Sequence, residues 1–234
     1  MRISIVMAYY NREEQLNKTL ESIGRSRIND YEIIIVDDAS TVPLKCPDAK
    51  VIRIEPRNKW YHNPCIPFNR GFKCATGDVV IIQNPECYHI GDILAYVEEN
   101  IKPNLYITFG CYAINPNETV DFMDGISPEL NNWMFRNPER NGWFNHSIYR
   151  PAAYHFCSAI MKKDLDLIGG FDERYAGGVS YDDDDLIRRI RKQMEVTIVD
   201  DPYVLHQYHS PFCYMSKNMR VLHTRNKQLF NSEK

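Results

Sequence analysis

Ile3-Ser4-Ile5-Val6-Met7-Ala8-Tyr9-Tyr10-Asn11-Arg12 opens with an apolar run that breaks abruptly into polar residues. The run predicts a first strand over Ile3 to Ala8. Asn11 is placed to cap a helix, with Glu14 at capping-box spacing and Leu16, Leu20 and Ile23 on one face. A second strand, Glu32-Ile33-Ile34-Ile35-Val36, is continuously β-branched, as expected where helices cover both faces of a sheet, and it ends in Asp37-Asp38. Val51 to Ile54 reads as a third. Strands alternating with helix-period segments imply crossover units on a mainly parallel sheet, an α/β fold.

The same rhythm continues along the chain. Phe68, Phe72 and Ala75 predict a helix that stops at Thr76-Gly77-Asp78, before a strand over Val79 to Gln83 that Pro85 ends. A helix from about Gly91 to Asn100 and a strand from Leu105 to Ile114 follow. From Asn115 to Arg150 periodicity fades, and a segment this long without clear elements reads as functional surface. Further on come a strand over His155 to Met161, a short helix over Asp164 to Ile168 and the turn Gly169-Gly170-Phe171. A helix over Asp182 to Lys192 opens with four acids and closes with bases, the charge order that suits a helix dipole. Val196 to Val199 predicts a last strand, and Ser216 to Phe230 a terminal amphipathic helix.

The chain of 234 residues carries 28 Lys and Arg against 31 Asp and Glu, a net charge of −3, with 44% apolar residues. That supports a sizeable core and leaves no basic footprint for nucleic acid or an anionic membrane. Seven cysteines, odd in number and without a C-x-x-C pair, argue against a disulfide framework or a thiolate zinc site. They fit free thiols in a reducing compartment. Ile3 to Ala8 is too short for a signal-peptide core, and no run approaches the ~20 apolar residues of a membrane span. A cytoplasmic protein with no membrane span is expected.

In an open α/β sheet, ligands bind beyond the carboxyl ends of the strands. That rule gathers Ala8 to Asn11, Asp37-Asp38, Gln83 to Glu86 and Asp182 to Asp185 at one edge. An edge this acidic suits a phosphate ligand only with a divalent cation between them, Mg2+ or Mn2+ by the hardness of the oxygen ligands. Trp133 and Trp143 offer aromatic faces on which a sugar ring could stack.

These pieces, in this order, resemble the family 2 glycosyltransferases. The resemblance rests on Ser4 to Arg12, Val36-Asp37-Asp38-Ala39-Ser40, Asn69-Arg70-Gly71 leading to Ala75-Thr76-Gly77-Asp78, Ile168 to Glu173, and Asp182 to Leu186 with Arg189. It implies the GT-A nucleotide-diphospho-sugar fold, a Rossmann-like mixed, mainly parallel sheet flanked by helices. A single domain is expected over residues 1–234, with 1–114 binding the nucleotide and 115–234 the acceptor. The implied activity is transfer of a hexose from a nucleotide diphosphate sugar, a UDP-sugar first, to a saccharide hydroxyl with inversion.

The resemblance also assigns residues. Asp37 or Asp38 would take a hydrogen bond from the base or ribose, Ala8 and Tyr9 would line the nucleoside pocket, and Arg12, Asn69 and Arg70 would reach the nucleotide. The family's usual Asp-x-Asp metal motif is here Asn84-Pro85-Glu86, which removes one negative charge and leaves Glu86 as a ligand for Mn2+ or Mg2+. His206 stands where relatives place a further ligand, with His209 as a substitute. Asp183 aligns with the general base and Asp182 with a carboxylate that positions the acceptor, next to Gly170 at the junction of donor and acceptor. Two other readings remain beside this one: a sugar nucleotidyltransferase, which lacks its Gly-rich basic loop here, and a nucleotide-sugar-binding protein without turnover, for which Asn84 is the motive.

Overall fold

The computed structural model describes residues 1–123, 142–209 and 217–233. Strands β1 (Ile3–Tyr9), β2 (Tyr31–Asp37), β3 (Lys50–Arg53) and β4 (Val79–Gln83) pair in parallel in the order β3-β2-β1-β4, with α1 (Glu13–Ile23) and α2 (Cys65–Cys74) among the connections. Their continuous apolar runs have a simple cause. On β1, Ile3, Ile5 and Met7 pack into one core with Leu16 and Ile23 of α1, while Val6 packs into a second core with Phe68 and Phe72 of α2. Ile33 and Ile35 against Ile34 and Val36, and Val79 and Ile81 against Val80 and Ile82, divide in the same way. Alternate side chains point to opposite faces, and both faces are covered.

The second half adds β5 (Cys87–Ile90), α3 (Ile93–Asn100), β6 (Leu105–Ala113), α4 (Pro116–Met123), β7 (Trp143–Asn145), β8 (Cys157–Met161), α5 (Lys162–Ile168), α6 (Asp182–Gln193), β9 (Glu195–His206) and α7 (Lys217–Ser232). β8 runs antiparallel to β4 and to β6, β9 runs parallel to β6, and β5 closes the path antiparallel to β9. Because β8 is reversed, its first residues rather than its last lie at the edge where β1, β2 and β4 end. β9 ends at that edge too, and β5 begins there. Among the described residues no helix is long and apolar enough to cross a membrane.

Several boundaries differ from the sequence reading. Asn11 does not cap α1: its backbone is left-handed (φ 48°) and its amide is spent on Thr41, accepting from the Thr41 N–H at 2.9 Å. Arg12 takes the cap position without a side-chain cap. α4 and β7 lie within the stretch expected to be irregular. α4 has a capping box, in which Asn115 Oδ1 accepts from the Glu118 N–H at 3.0 Å and Glu118 Oε2 accepts from the Asn115 N–H at 2.7 Å. β5 was not expected, and β9 is three times the predicted length because it resumes beyond an irregularity opposite Phe109 and Gly110.

Candidate active site

A cleft of about 600 Å3 opens at the carboxyl edge of the sheet. That volume lies in the usual range for small-molecule sites. Ala8, Tyr9, Arg12, Asp38, Asn84 and Glu86 line it, together with His155, Asp182, Asp183 and Asp184. The ends of β1 and β2, the turn after β4, the entry to β8 and the head of α6 therefore meet around one space.

Asp37 and Asp38 are neighbours with different work. Asp37 is fully buried and accepts the backbone N–H groups of Ser40 and Leu44 at 3.0 Å each, with Arg53 on the same carboxylate. Burial opposes its ionisation, but these hydrogen bonds hold its pKa below the usual aspartate value. It secures the loop after β2 and does not line the cleft. Asp38 does, and there it accepts Lys59 Nζ at 2.7 Å and the Tyr61 hydroxyl at 2.5 Å. Lys59 also lies 4.6 Å from the centre of the Tyr10 ring, so Asp38 has an ordered cationic and aromatic surround.

At the turn after β4, Glu86 is 2% exposed and divides its oxygens. Arg12 donates to Oε2 at 2.8 Å, while His206 Nε2 and His209 Nε2 stand 3.2 and 3.6 Å from Oε1. Burial disfavours the charge, yet Arg12, His206 and His209 together hold the Glu86 carboxyl well below the usual range. One ligand atom from each of Glu86, His206 and His209 lies within 4.8 Å of the others. Two imidazole nitrogens beside a carboxylate oxygen favour Mn2+ over Mg2+, so these residues fit the manganese alternative that the sequence implied. His209, read as a substitute ligand, joins His206 instead of replacing it. Asn84 lines the cleft beside them without adding charge.

The head of α6 is electrostatically the reverse. Tyr181, preceding the helix, is left-handed (φ 67°) and offers no side-chain cap. Asp185 turns inward, 1% exposed, and pairs at 2.7 Å with both Arg188 and Arg189. Asp184 accepts the Tyr154 hydroxyl at 2.7 Å. Asp182 is 7% exposed, and burial together with the adjacent Asp183 charge raises its pKa, against a hydrogen bond from Asn63 and the attraction of His155. Asp183, a third exposed at its side chain, approaches His155 Nδ1 at 2.6 Å. Burial would push the His155 pKa down, but the Asp183 and Asp182 carboxylates raise it above the ordinary imidazole value.

Other expected site residues are placed elsewhere. Asn69 is buried and grips the backbone of Phe171, accepting its N–H at 2.9 Å and donating to its carbonyl at 2.8 Å. Gly170 (φ 68°) belongs to that same joint, since a Cβ there would come within 2.5 Å of Asn69 Oδ1, and its carbonyl accepts Arg189 at 2.9 Å. Both residues fasten α2, α6 and the intervening turn together, outside the cleft lining. Arg70 is exposed on α2 and likewise does not line it. Trp143 is 8% exposed and packs edge-on against Tyr112 at 5.1 Å, so it offers no free stacking face. Trp133 lies outside the described residues. His155, Lys59, Tyr61 and Asn63 went unnoticed in the sequence, because a lone His or Lys beside a strand or turn has no spacing signal of its own.

Comparison with known proteins agrees with this architecture. Residues 4–169 match the family model of Glycosyl transferase family 2, and the chain belongs to that family. An uncharacterized glycosyltransferase of Bacillus subtilis, YwdF, is 41% identical over 86 residues, covering 35% of this chain and 31% of that protein. The dolichol-phosphate mannosyltransferase of Pyrococcus furiosus is 30% identical over 120 residues, covering 47% of this chain and 33% of its own length. The matched segments thus span about a third of these curated relatives. Among solved structures, S. aureus TarS 1-349 in complex with UDP-GlcNAc superposes with a TM-score of 0.62 at 15% identity, covering 94% of this chain and 61% of TarS 1-349. The mannosyltransferase PcManGT from Pyrobaculum calidifontis, in complex with GDP-Man and Mn2+, gives 0.57 at 16% identity over 97% of this chain and 61% of that one. At these identities the likeness establishes the fold, the GT-A architecture.

Proposed function

We propose that the protein transfers a hexose from a nucleotide diphosphate sugar, a UDP-sugar first, to a saccharide hydroxyl with inversion at the anomeric carbon. The observation that carries this reading is one cleft lined by Glu86 and His209 together with Asp182 and Asp183, with His206 held against Glu86. The N-terminal half, residues 1–114, would hold the donor, and the remainder the acceptor.

In that arrangement Ala8 and Tyr9 back the nucleoside, and Asp38 accepts a hydrogen bond from the base or ribose. A divalent ion held by Glu86, His206 and His209 would neutralise charge on the leaving diphosphate. Arg12, held against Glu86, adds positive charge there. Asp183 lines the same cleft, where a carboxylate can take the acceptor hydroxyl's proton as its oxygen bonds to C1. Asp182, holding its proton to higher pH than an ordinary aspartate, can donate a hydrogen bond to the acceptor sugar and fix its pose.

The relatives support donors of this class: TarS was solved with UDP-GlcNAc and PcManGT with GDP-Man and Mn2+. A screen of UDP-, GDP- and dTDP-sugars with Mn2+ or Mg2+, following release of nucleoside diphosphate, tests the reading. Release from a UDP-sugar that rises with a saccharide acceptor is expected. Turnover confined to GDP- or dTDP-sugars would overturn the base assignment, and binding of every donor without turnover would overturn transfer itself.

A further inference from the structure

His155 enters the cleft from the residue pair just before β8, on a backbone fastened at two points. The Ala153 N–H donates to Asn145 Oδ1 at 2.8 Å, and the Tyr154 carbonyl accepts Thr108 Oγ1 at 2.8 Å. The imidazole is then held between two rings, edge-on to Phe68 at 5.1 Å and to Phe171 at 4.9 Å. Its side chain is only 8% exposed, whereas that of Asp183 in front of it is 34% exposed. Neither His155 Nδ1 nor Asp183 Oδ1 has a well-aligned hydrogen-bond partner among the described residues, although the two atoms stand 2.6 Å apart. Buried polar atoms left in this condition call for an explanation beyond stability.

We propose that His155 is the positioning residue of the transfer reaction: its Nδ1–H holds Oδ1 of Asp183 against the protein, so that Oδ2 is the oxygen presented to the acceptor hydroxyl. The inference rests on the reading of Asp183 as the base. A carboxylate at a helix start can otherwise turn about its side-chain bonds, and fixing one oxygen selects the orientation in which the other receives a proton. The aromatic walls serve the same end, because they give the ring no competing polar partner. The acceptor O–H bond breaks as its oxygen bonds to C1, the proton passes to Asp183 Oδ2, and the leaving diphosphate keeps the electron pair of the broken C1–O bond. His155 loses and gains no proton in this step. The charged groups around the ring are Asp182 and Asp183 of α6 and, from the turn after β4, Glu86.

The test compares His155→Phe, which preserves a ring between Phe68 and Phe171, with His155→Asn, whose amide can donate from about the place of Nδ1. Transfer is measured with the donor identified by nucleoside diphosphate release. His155→Phe is expected to lower kcat roughly 10–100-fold with the donor KM within about twofold. A loss in kcat with the donor KM held is the split expected of a group that aims the base and does not touch the donor. His155→Asn should recover most of the loss. In the unliganded protein, the NMR titration of the His155 ring should move to lower pH in Asp183→Asn, which reports the pairing without using activity. An unchanged kcat in His155→Phe, while Asp183→Asn abolishes transfer, would overturn the positioning role and leave the base in place. Equal losses in both His155 variants with a lowered Tm, and a His155 titration unmoved in Asp183→Asn, would overturn it as well, by showing a structural role only. Normal transfer by Asp183→Asn would overturn the base reading, and this inference with it.

Discussion

Two acidic clusters lie at the carboxyl edge of the sheet, and their carboxylates live in opposite conditions. At the end of β2, Asp37 accepts two backbone N–H groups and Arg53, and Asp38 accepts Lys59 and Tyr61. Every charge there has a dedicated donor, and Asp37 is held ionised. At the head of α6, Asp182 and Asp183 sit side by side with His155 as their nearby cation, and Asp182 is pushed toward its neutral form. A site that recognises a ligand gains from charges that are settled in advance. A site that moves a proton needs groups near the balance point between their two forms.

The largest effect should come from breaking the proton-moving side. Asp183→Asn is expected to reduce sugar transfer by roughly 10²–10⁴-fold, read as nucleoside diphosphate release in the presence of acceptor, with the far-UV spectrum and Tm unchanged. If the β2 cluster is the settled one, its loss should appear in stability instead. Asp37→Ala leaves Arg53 and two N–H groups without their acceptor and should cost about 3 kcal/mol in urea unfolding.

Chelation sharpens the contrast from the third corner of the cleft. Treatment with EDTA should lower turnover about 10²-fold, Mn2+ should restore it, and Glu86→Gln should not be restored at the same Mn2+ concentration. The smallest effect is also the most discriminating. An acid with a raised folded pKa binds its proton more tightly when folded, so its contribution to stability falls as pH rises from the ordinary aspartate range through the raised value. Asp182→Asn removes that loss and should be more stable than the wild type by about 1 kcal/mol around pH 8, the gap closing near pH 4. Asp37 runs the other way: its lowered pKa gives stability that is present above the ordinary aspartate range and lost as pH falls below it.

The parallel half of the sheet was legible because burial on both faces leaves an unbroken apolar signature in β1, β2 and β4. α6 was legible from its charge order. β5 was not, since Cys87-Tyr88-His89-Ile90 owes its strand form to pairing with the far end of β9, about 115 residues along the chain. The capping box of α4 is present in Asn115-Pro116-Asn117-Glu118, but the helix it opens has only 8 residues, too few for a clear apolar period. Within the site, residues at strand ends could be placed by the carboxyl-edge rule. Asn69 and Gly170, assigned through the family resemblance, join α2 to the turn before α6 and lie outside the cleft lining. His155 was hidden for a topological reason. The reversed direction of β8 brings the start of that strand to an edge built mostly from strand ends.

That reversal has a practical side. Between the Asn145 and Ala153–Tyr154 anchors the chain makes a small excursion, with Ile148 76% and Tyr149 49% exposed at its tip. Ser147 ties the base of this excursion to Asp200, and Arg191 donates to the Pro151 carbonyl, so the part open to exchange is the exposed tip. An engineer can vary Ile148 and screen the products, while the fastenings around it keep the approach to His155 in place.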